Sequence, residues 1–169
     1  MILSSRDNGH DRSEHPRKKI EVVNEVVREV LVLTNHEILK KRVLARVELT
    51  PGLPAITGDR VQLQQVILNL VMNAVEASAE ARENSHELVV KSEKGGTDQV
   101  TVAVTDTGMG IDPDILDKLF HPFFTTKPNG MGMGLPISRS IIEAHGGRLW
   151  AIRNEGPGST FKFSVPIAV

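Results

Sequence analysis

The chain has 169 residues, 40% of them hydrophobic, with a formal net charge of −1 and no cysteine. That is core material for one domain, with no charge argument for a nucleic-acid or anionic-membrane partner and no means of forming a disulfide, a thiolate zinc site or a cysteine nucleophile. No apolar run approaches the ~20 residues of a membrane span, so the expectation is a cytoplasmic domain making no membrane contact of its own, whose parent is free to be membrane-anchored.

Residues 1–19 are polar, with Arg6, Arg12, Arg17, Lys18 and Lys19 around Pro16. They read as a linker remnant or frayed end, and residues 20–169 as the domain. Ile20, Val23, Val27, Val30 and Leu31 recur at helical spacing and predict an amphipathic helix of about five turns. Val43 to Leu49 alternates and reads as a strand, broken by Thr50-Pro-Gly-Leu-Pro54.

Asp59 has the chemistry of an N-cap, and Gln62 three residues on completes a capping-box pattern. Leu63, Val66, Ile67, Leu70, Val71, Ala74 and Ala77 supply the apolar face of the helix that follows. Gln65, Asn69, Asn73 and Glu76 fall on one stripe beside that face, which is unusual where Lys and Glu are the better helix formers.

Leu88–Ser92 and Gln99–Asp106, parted by a Gly-Gly turn, predict a hairpin. In the second strand Val100, Val102, Val104 and Asp106 share a face, so the carboxylate points with three valines into the core or a pocket, where it needs donors. Residues 107–133 hold Pro113, Pro122, Pro128 and much of the glycine, and a loop this long inside a domain is the mark of function. Asp114 to Phe120 is expected to form a short helix. A helix from about Met133 to Ala144 follows, stopped by His145-Gly-Gly147. Gly147–Arg153 and Thr160–Val165 are strands around a turn at residues 154–158. The order predicts an α/β two-layer sandwich, with a mixed, mostly antiparallel sheet of about five strands and three helices on one face.

Each motif has two readings on its residues alone. Asp106, followed by Gly108 and Gly110, suits an acceptor for an exocyclic amine such as adenine's, with backbone allowed close to the base, or is a turn-forming Asp. Asn69 and Asn73 suit Mg²⁺, which takes amide oxygen and phosphate ligands, or are buried amides bonded to backbone. Gly130, Gly132 and Gly134 can lie beneath phosphates at a helix N-terminus, or form a flexible loop. Phe120, Phe123 and Phe124 read as a hinge or a small satellite core. Lys127 reads as a phosphate contact or a surface lysine.

In combination the order is specific. Gln65-Val-Ile-Leu-Asn69-Leu-Val-Met-Asn73-Ala-Val-Glu76-Ala77, Asp106-Thr-Gly-Met-Gly110, Leu119-Phe-His-Pro-Phe-Phe-Thr-Thr-Lys127 and Gly130-Met-Gly-Met-Gly134-Leu135 resemble the N, first glycine, F and second glycine boxes of bacterial sensor histidine kinases, in their ATP-binding catalytic domain. The resemblance runs from about Ile20 to Val169 and implies the Bergerat fold, shared with type II topoisomerases, a heat-shock chaperone family and mismatch-repair ATPases. It implies ATP and Mg²⁺ as ligands, with the lid at about residues 111–133. By the resemblance, Asn73 holds the metal and Asn69 lies near the phosphates. Asp106 binds the adenine amine beside Gly108, Gly110 lies under the ring and Thr160 supports the base through water. Lys127, Gly130, Gly132, Gly134 and Leu135 meet the phosphates, with Asn69 and Lys127 as the catalytic pair.

The resemblance further implies transfer of the γ-phosphoryl group to a His on a separate dimerisation and phosphoacceptor domain, and a downstream response regulator. Glu76 stands where many relatives have Lys, and Pro136 where Ser is frequent. His36-Glu37 lacks the proline that typically follows the family's phosphoacceptor and lies after the first helix, so the chain is expected to start past the dimerisation helices and to hold no target His.

Overall fold

The computed structural model describes residues 18–20, 23–80, 86–124 and 134–168. A short antiparallel pair joins β1 (Lys18–Ile20) to β3 (Ile56–Gly58). Ile20, expected to open a helix, therefore ends a strand, and the expected boundary between residues 19 and 20 falls inside that strand. The first helix, α1 (Val23–Lys40), has 18 residues, the five turns that its apolar spacing demands. Two further helices are α2 (Arg60–Ala79) and α3 (Gly134–Ala144).

The main sheet has five strands in the order β2 (Leu44–Leu49), β4 (Glu87–Gly95), β5 (Gln99–Asp106), β7 (Ser159–Pro166), β6 (Arg148–Arg153). Only β2 and β4 run parallel; the other three pairings are antiparallel. This is the mixed, mostly antiparallel sheet expected. β2 lies on an edge, and its side chains from Leu44 to Glu48 are exposed. Its alternation marks a strand but not a buried face.

Alternate residues of β4, β5 and β7 turn inward. Leu88, Val90, Val100, Val102, Val104, Phe163 and Val165 are buried against Val26, Val27 and Val30 of α1, Leu63, Val66, Ile67 and Leu70 of α2, and Ile142 of α3. Each such side chain contributes about 1.5–3 kcal/mol by leaving water. The outward positions are mostly polar, and ion pairs cross the strands there: Lys162 Nζ lies 3.3 Å from Glu93 Oε1 and Arg46 Nη1 3.2 Å from Glu87 Oε1. One face packed and one face wet is the usual economy of an antiparallel sheet.

The start of α2 departs from the expected capping box. Asp59 Oδ1 accepts the Gln62 N–H at 3.1 Å, as an N-cap should. The reciprocal bond does not come from the Gln62 side chain. Instead the Asp59 N–H donates to His145 Nε2 at 3.0 Å, while His145 Nδ1 donates to the Ile141 carbonyl at 2.8 Å. A buried imidazole at the end of α3 thus closes the cap of α2. Asp59→Ala removes one bond of this cap and is expected to cost about 1 kcal/mol, read as a lower urea midpoint at unchanged m-value.

Candidate functional site

The last inward residue of β5 is not a hydrocarbon. Asp106 continues the face of Val100, Val102 and Val104 and is 3% exposed. Its Oδ1 accepts the Gly108 N–H at 2.9 Å and the Ser159 N–H at 3.3 Å, and its Oδ2 accepts the Ser159 hydroxyl at 3.0 Å. A carboxylate has room for about four donors, so Oδ2 retains capacity for an incoming N–H. Burial pushes the Asp106 carboxyl above the ordinary carboxylate range, and the bonds from Gly108 and Ser159 act against that rise.

Two glycines let backbone close around this group. A Cβ at Gly108 would sit 2.7 Å from the Ala77 carbonyl oxygen of α2. Gly158, at φ +88, lies so close to β5 that a Cβ would fall 1.8 Å from the Asp106 carbonyl oxygen. Both contacts demand a residue without a side chain, and the second also a left-handed backbone. Gly110 lies beyond them on the exposed side of the loop.

Helix α2 relates this end of the site to the other. Asn69 Nδ2 donates to Ser138 Oγ at 3.1 Å and to the Gly134 carbonyl at 3.4 Å, so it touches the first turn of α3. Asn73 follows one turn later, half-buried, and Ala77 one turn after that, against Gly108. From Asn69 to Ala77 the helix rises about 12 Å at 1.5 Å per residue. The N-terminus of α3 and the Asp106 acceptor therefore lie near Asn69 and Ala77 in turn, with Asn73 between these two on α2. Leu135 is half-buried against the core beside Gly134.

The short helix expected over Asp114 to Phe120 is a 3-10 helix over Pro113–Lys118. Phe120 packs edge-on against Phe161 with ring centroids 6.4 Å apart, and the Arg139 guanidinium lies over its ring at 5.6 Å. Phe123 is exposed and has φ +66, an uncommon conformation for a bulky side chain. Lys127, Gly130 and Gly132 lie outside the described residues. Glu76 is half-buried on α2 and His36 is exposed on α1.

Thr160 requires a correction. It pairs with Thr105 across the sheet, and its hydroxyl bonds to Asn154 Oδ1 at 2.8 Å and Thr105 Oγ1 at 2.9 Å. Successive strand residues face opposite ways, so the residue that reaches Asp106 is Ser159. The alternation that places Asp106 on the inward face could have found it, since Phe161, Phe163 and Val165 share the parity of Ser159.

The chain's similarities agree with this geometry. Residues 58–169 match the family described as histidine kinase-, DNA gyrase B- and HSP90-like ATPase. The sensor protein FixL of Bradyrhizobium diazoefficiens is 45% identical over 151 residues, which cover 89% of this chain and 30% of that protein. Among solved structures, the catalytic domain of the histidine kinase ThkA is 35% identical with a TM-score of 0.77, covering 89% of this chain and 97% of that one. A structure of ThkA in complex with the response regulator protein TrrA has a TM-score of 0.76 at 35% identity, with 90% of this chain and 42% of that one covered. The chain thus spans about a third of the full sensor protein it resembles.

Because the folded-state value of Asp106 is raised, this group favours folding most at pH below its unfolded value, and that contribution is lost as pH climbs through the folded value. Asp106→Asn keeps the shape and removes the ionisation. The stability gap between variant and parent is expected to widen in the variant's favour as pH rises from the acid range to neutrality. Urea unfolding of both proteins at a series of pH values checks this, and a constant gap contradicts it.

Proposed function

This chain belongs to the histidine kinase-, DNA gyrase B- and HSP90-like ATPase family, and from that premise we propose that it binds Mg²⁺–ATP and presents the γ-phosphoryl group to a histidine on a separate dimerisation domain. The observation that carries the reading is that α2 links a buried carboxylate having spare acceptor capacity, through Ala77 and Gly108, to the N-terminus of α3, through Asn69, over about two helical turns. An adenine amine suits the first and phosphates suit the second. Guanine offers a carbonyl where adenine offers its amine, and Asp106 would repel it.

The residues fit the metal. Asn73 offers an amide oxygen between the two ends, and among the described residues no cluster of three or more His, Cys, Asp or Glu side chains competes with it. One amide oxygen, with phosphate oxygens and waters, is an ordinary ligand set for Mg²⁺. When bound, the ion neutralises charge on the phosphates. Asn69 holds the first turn of α3 in place, so that its N–H groups are aimed before ATP arrives. Asp106 orients the base, Gly108 and Gly110 give it room, and Ser159 takes the supporting position in place of Thr160. Lys127, Gly130 and Gly132 complete the phosphate contacts in this reading. The chemistry is positioning: the donor is held in line for an external imidazole, and the lid excludes water.

The similarity to sensor proteins supports phosphotransfer within a two-component system, with a response regulator as the later acceptor. ThkA is itself seen with such a partner.

Calorimetric titration with ADP and a non-hydrolysable ATP analogue, with and without Mg²⁺, tests the pocket. The parent is expected to prefer adenine to guanine nucleotides and to bind more tightly with Mg²⁺. Asn73→Ala is expected to lose the Mg²⁺-dependent gain and keep the base preference. Asp106→Ala is expected to lose roughly 10- to 100-fold in affinity, the worth of a hydrogen bond to a charged group. Phosphate transfer to a supplied dimerisation domain then tests the reaction. A folded parent that binds neither nucleotide refutes the proposal.

A further inference from the structure

The turn between β6 and β7 is the roof of the Asp106 pocket, and little else holds it there. The ladder of the two strands ends at the pair Arg153–Ser159. Glu155, Gly156 and Pro157 beyond it are exposed. Nevertheless Gly158 is packed against the Asp106 carbonyl, and the next residue delivers both Ser159 donors to the carboxylate.

Asn154 is the tie. Its Nδ2 donates to the Pro157 carbonyl at 3.2 Å and to the Asp106 carbonyl at 3.4 Å, and its Oδ1 accepts from the Thr160 hydroxyl at 2.8 Å. Since that hydroxyl spends its proton on Asn154, the 2.9 Å contact between Thr160 and Thr105 has Thr105 as donor. A directed chain therefore runs from Thr105 through Thr160 and Asn154 to the backbone of Asp106 and of the turn. Among the described residues no other side-chain hydrogen bond joins residues 155–158 to the sheet.

We infer that Thr105, Thr160 and Asn154 form a positioning chain that fixes the turn over Asp106, and thereby sets the geometry with which this carboxylate selects its base; the inference rests on the nucleotide-binding reading above. None of the three side chains bonds to the Asp106 carboxylate itself. They act through Ser159, from the opposite face of the sheet. A turn that drifted by a fraction of an ångström would still close the hairpin. It would no longer hold the Ser159 N–H and hydroxyl on two different oxygens of one carboxylate, and the acceptor left for the base would lose its direction.

Two substitutions separate this role from general stability. Asn154→Asp has the same shape and still accepts from Thr160, but it turns an oxygen toward the carbonyls of Asp106 and Pro157. Thr160→Val removes the hydroxyl and keeps the bulk, while Thr160→Ser restores the hydroxyl. In the nucleotide-free protein, amide exchange at Ser159 is expected to quicken by about tenfold in Asn154→Asp and Thr160→Val, the loss of roughly one hydrogen bond. The Asp106 carboxyl signal is expected to titrate at higher pH, because the Ser159 donors hold it down. Thr160→Ser should match the parent in both. With nucleotide, ADP affinity is expected to fall about tenfold in the two disabling variants, with a smaller ratio between ADP and GDP.

If Asn154→Asp fails to fold, Thr160→Val carries the test. Unchanged Ser159 exchange in the folded variants overturns the positioning chain, whatever nucleotide does. Faster exchange with an unchanged ADP to GDP ratio overturns its part in base selection. A parent that binds no nucleotide overturns the reading on which that part rests, and the titration of the parent shows this separately.

Discussion

A carboxylate taken out of water at the end of a strand must be met by donors, and much of the site follows from meeting that need at Asp106. One donor comes from the loop immediately after β5, which must therefore double back, and it does so over Gly108. Two come from Ser159, which obliges β7 to start there and the preceding turn to pass within contact of β5. Gly158 makes that approach possible. The three donors lower the cost of the charge without filling the carboxylate, and the remaining cost is what a ligand's amine can relieve. On the proposed reading, Asp106 trades stability of the empty fold for affinity, a common exchange at functional sites.

Helix α2 carries that local solution across the domain. Its apolar face fills the core, and residues two turns apart along it touch the two ends of the site in turn, Asn69 at one and Ala77 at the other. Binding groups placed on a rigid helix keep their spacing better than groups on loops. The bonds from Asn69 to Ser138 and Gly134, and from Asp59 to His145, fasten the antiparallel α3 to it near both ends of α3.

Much of this was legible in the sequence. Period-two valines ending in Asp106 placed a carboxylate inward, and the Asp59 cap, the hairpin and the His-Gly-Gly stop fell where local chemistry put them. The order of four motifs identified the family. What sequence did not disclose was non-local. Three residues at Lys18–Ile20 are too few for a period, and their partner lies at Ile56–Gly58. The pairing of β2 with β4 in parallel leaves no local mark. Ser159 and Thr160 differ by one residue and hence by a whole sheet face, a distinction that a motif resemblance cannot resolve and a register can. Gln62 fitted the capping-box pattern, yet an imidazole from another helix occupied that role.

The imidazole has a consequence for how the chain reaches this state. Asp59 and His145 are 86 residues apart, so the second capping bond of α2 is present only when α3 is docked. That turn can fray until α3 docks, and the cost of closing so long a loop is met late. Completion of the helix bearing the asparagines is thereby made to wait for the helix that follows the glycines. Assembly of the two halves of the site becomes one cooperative event.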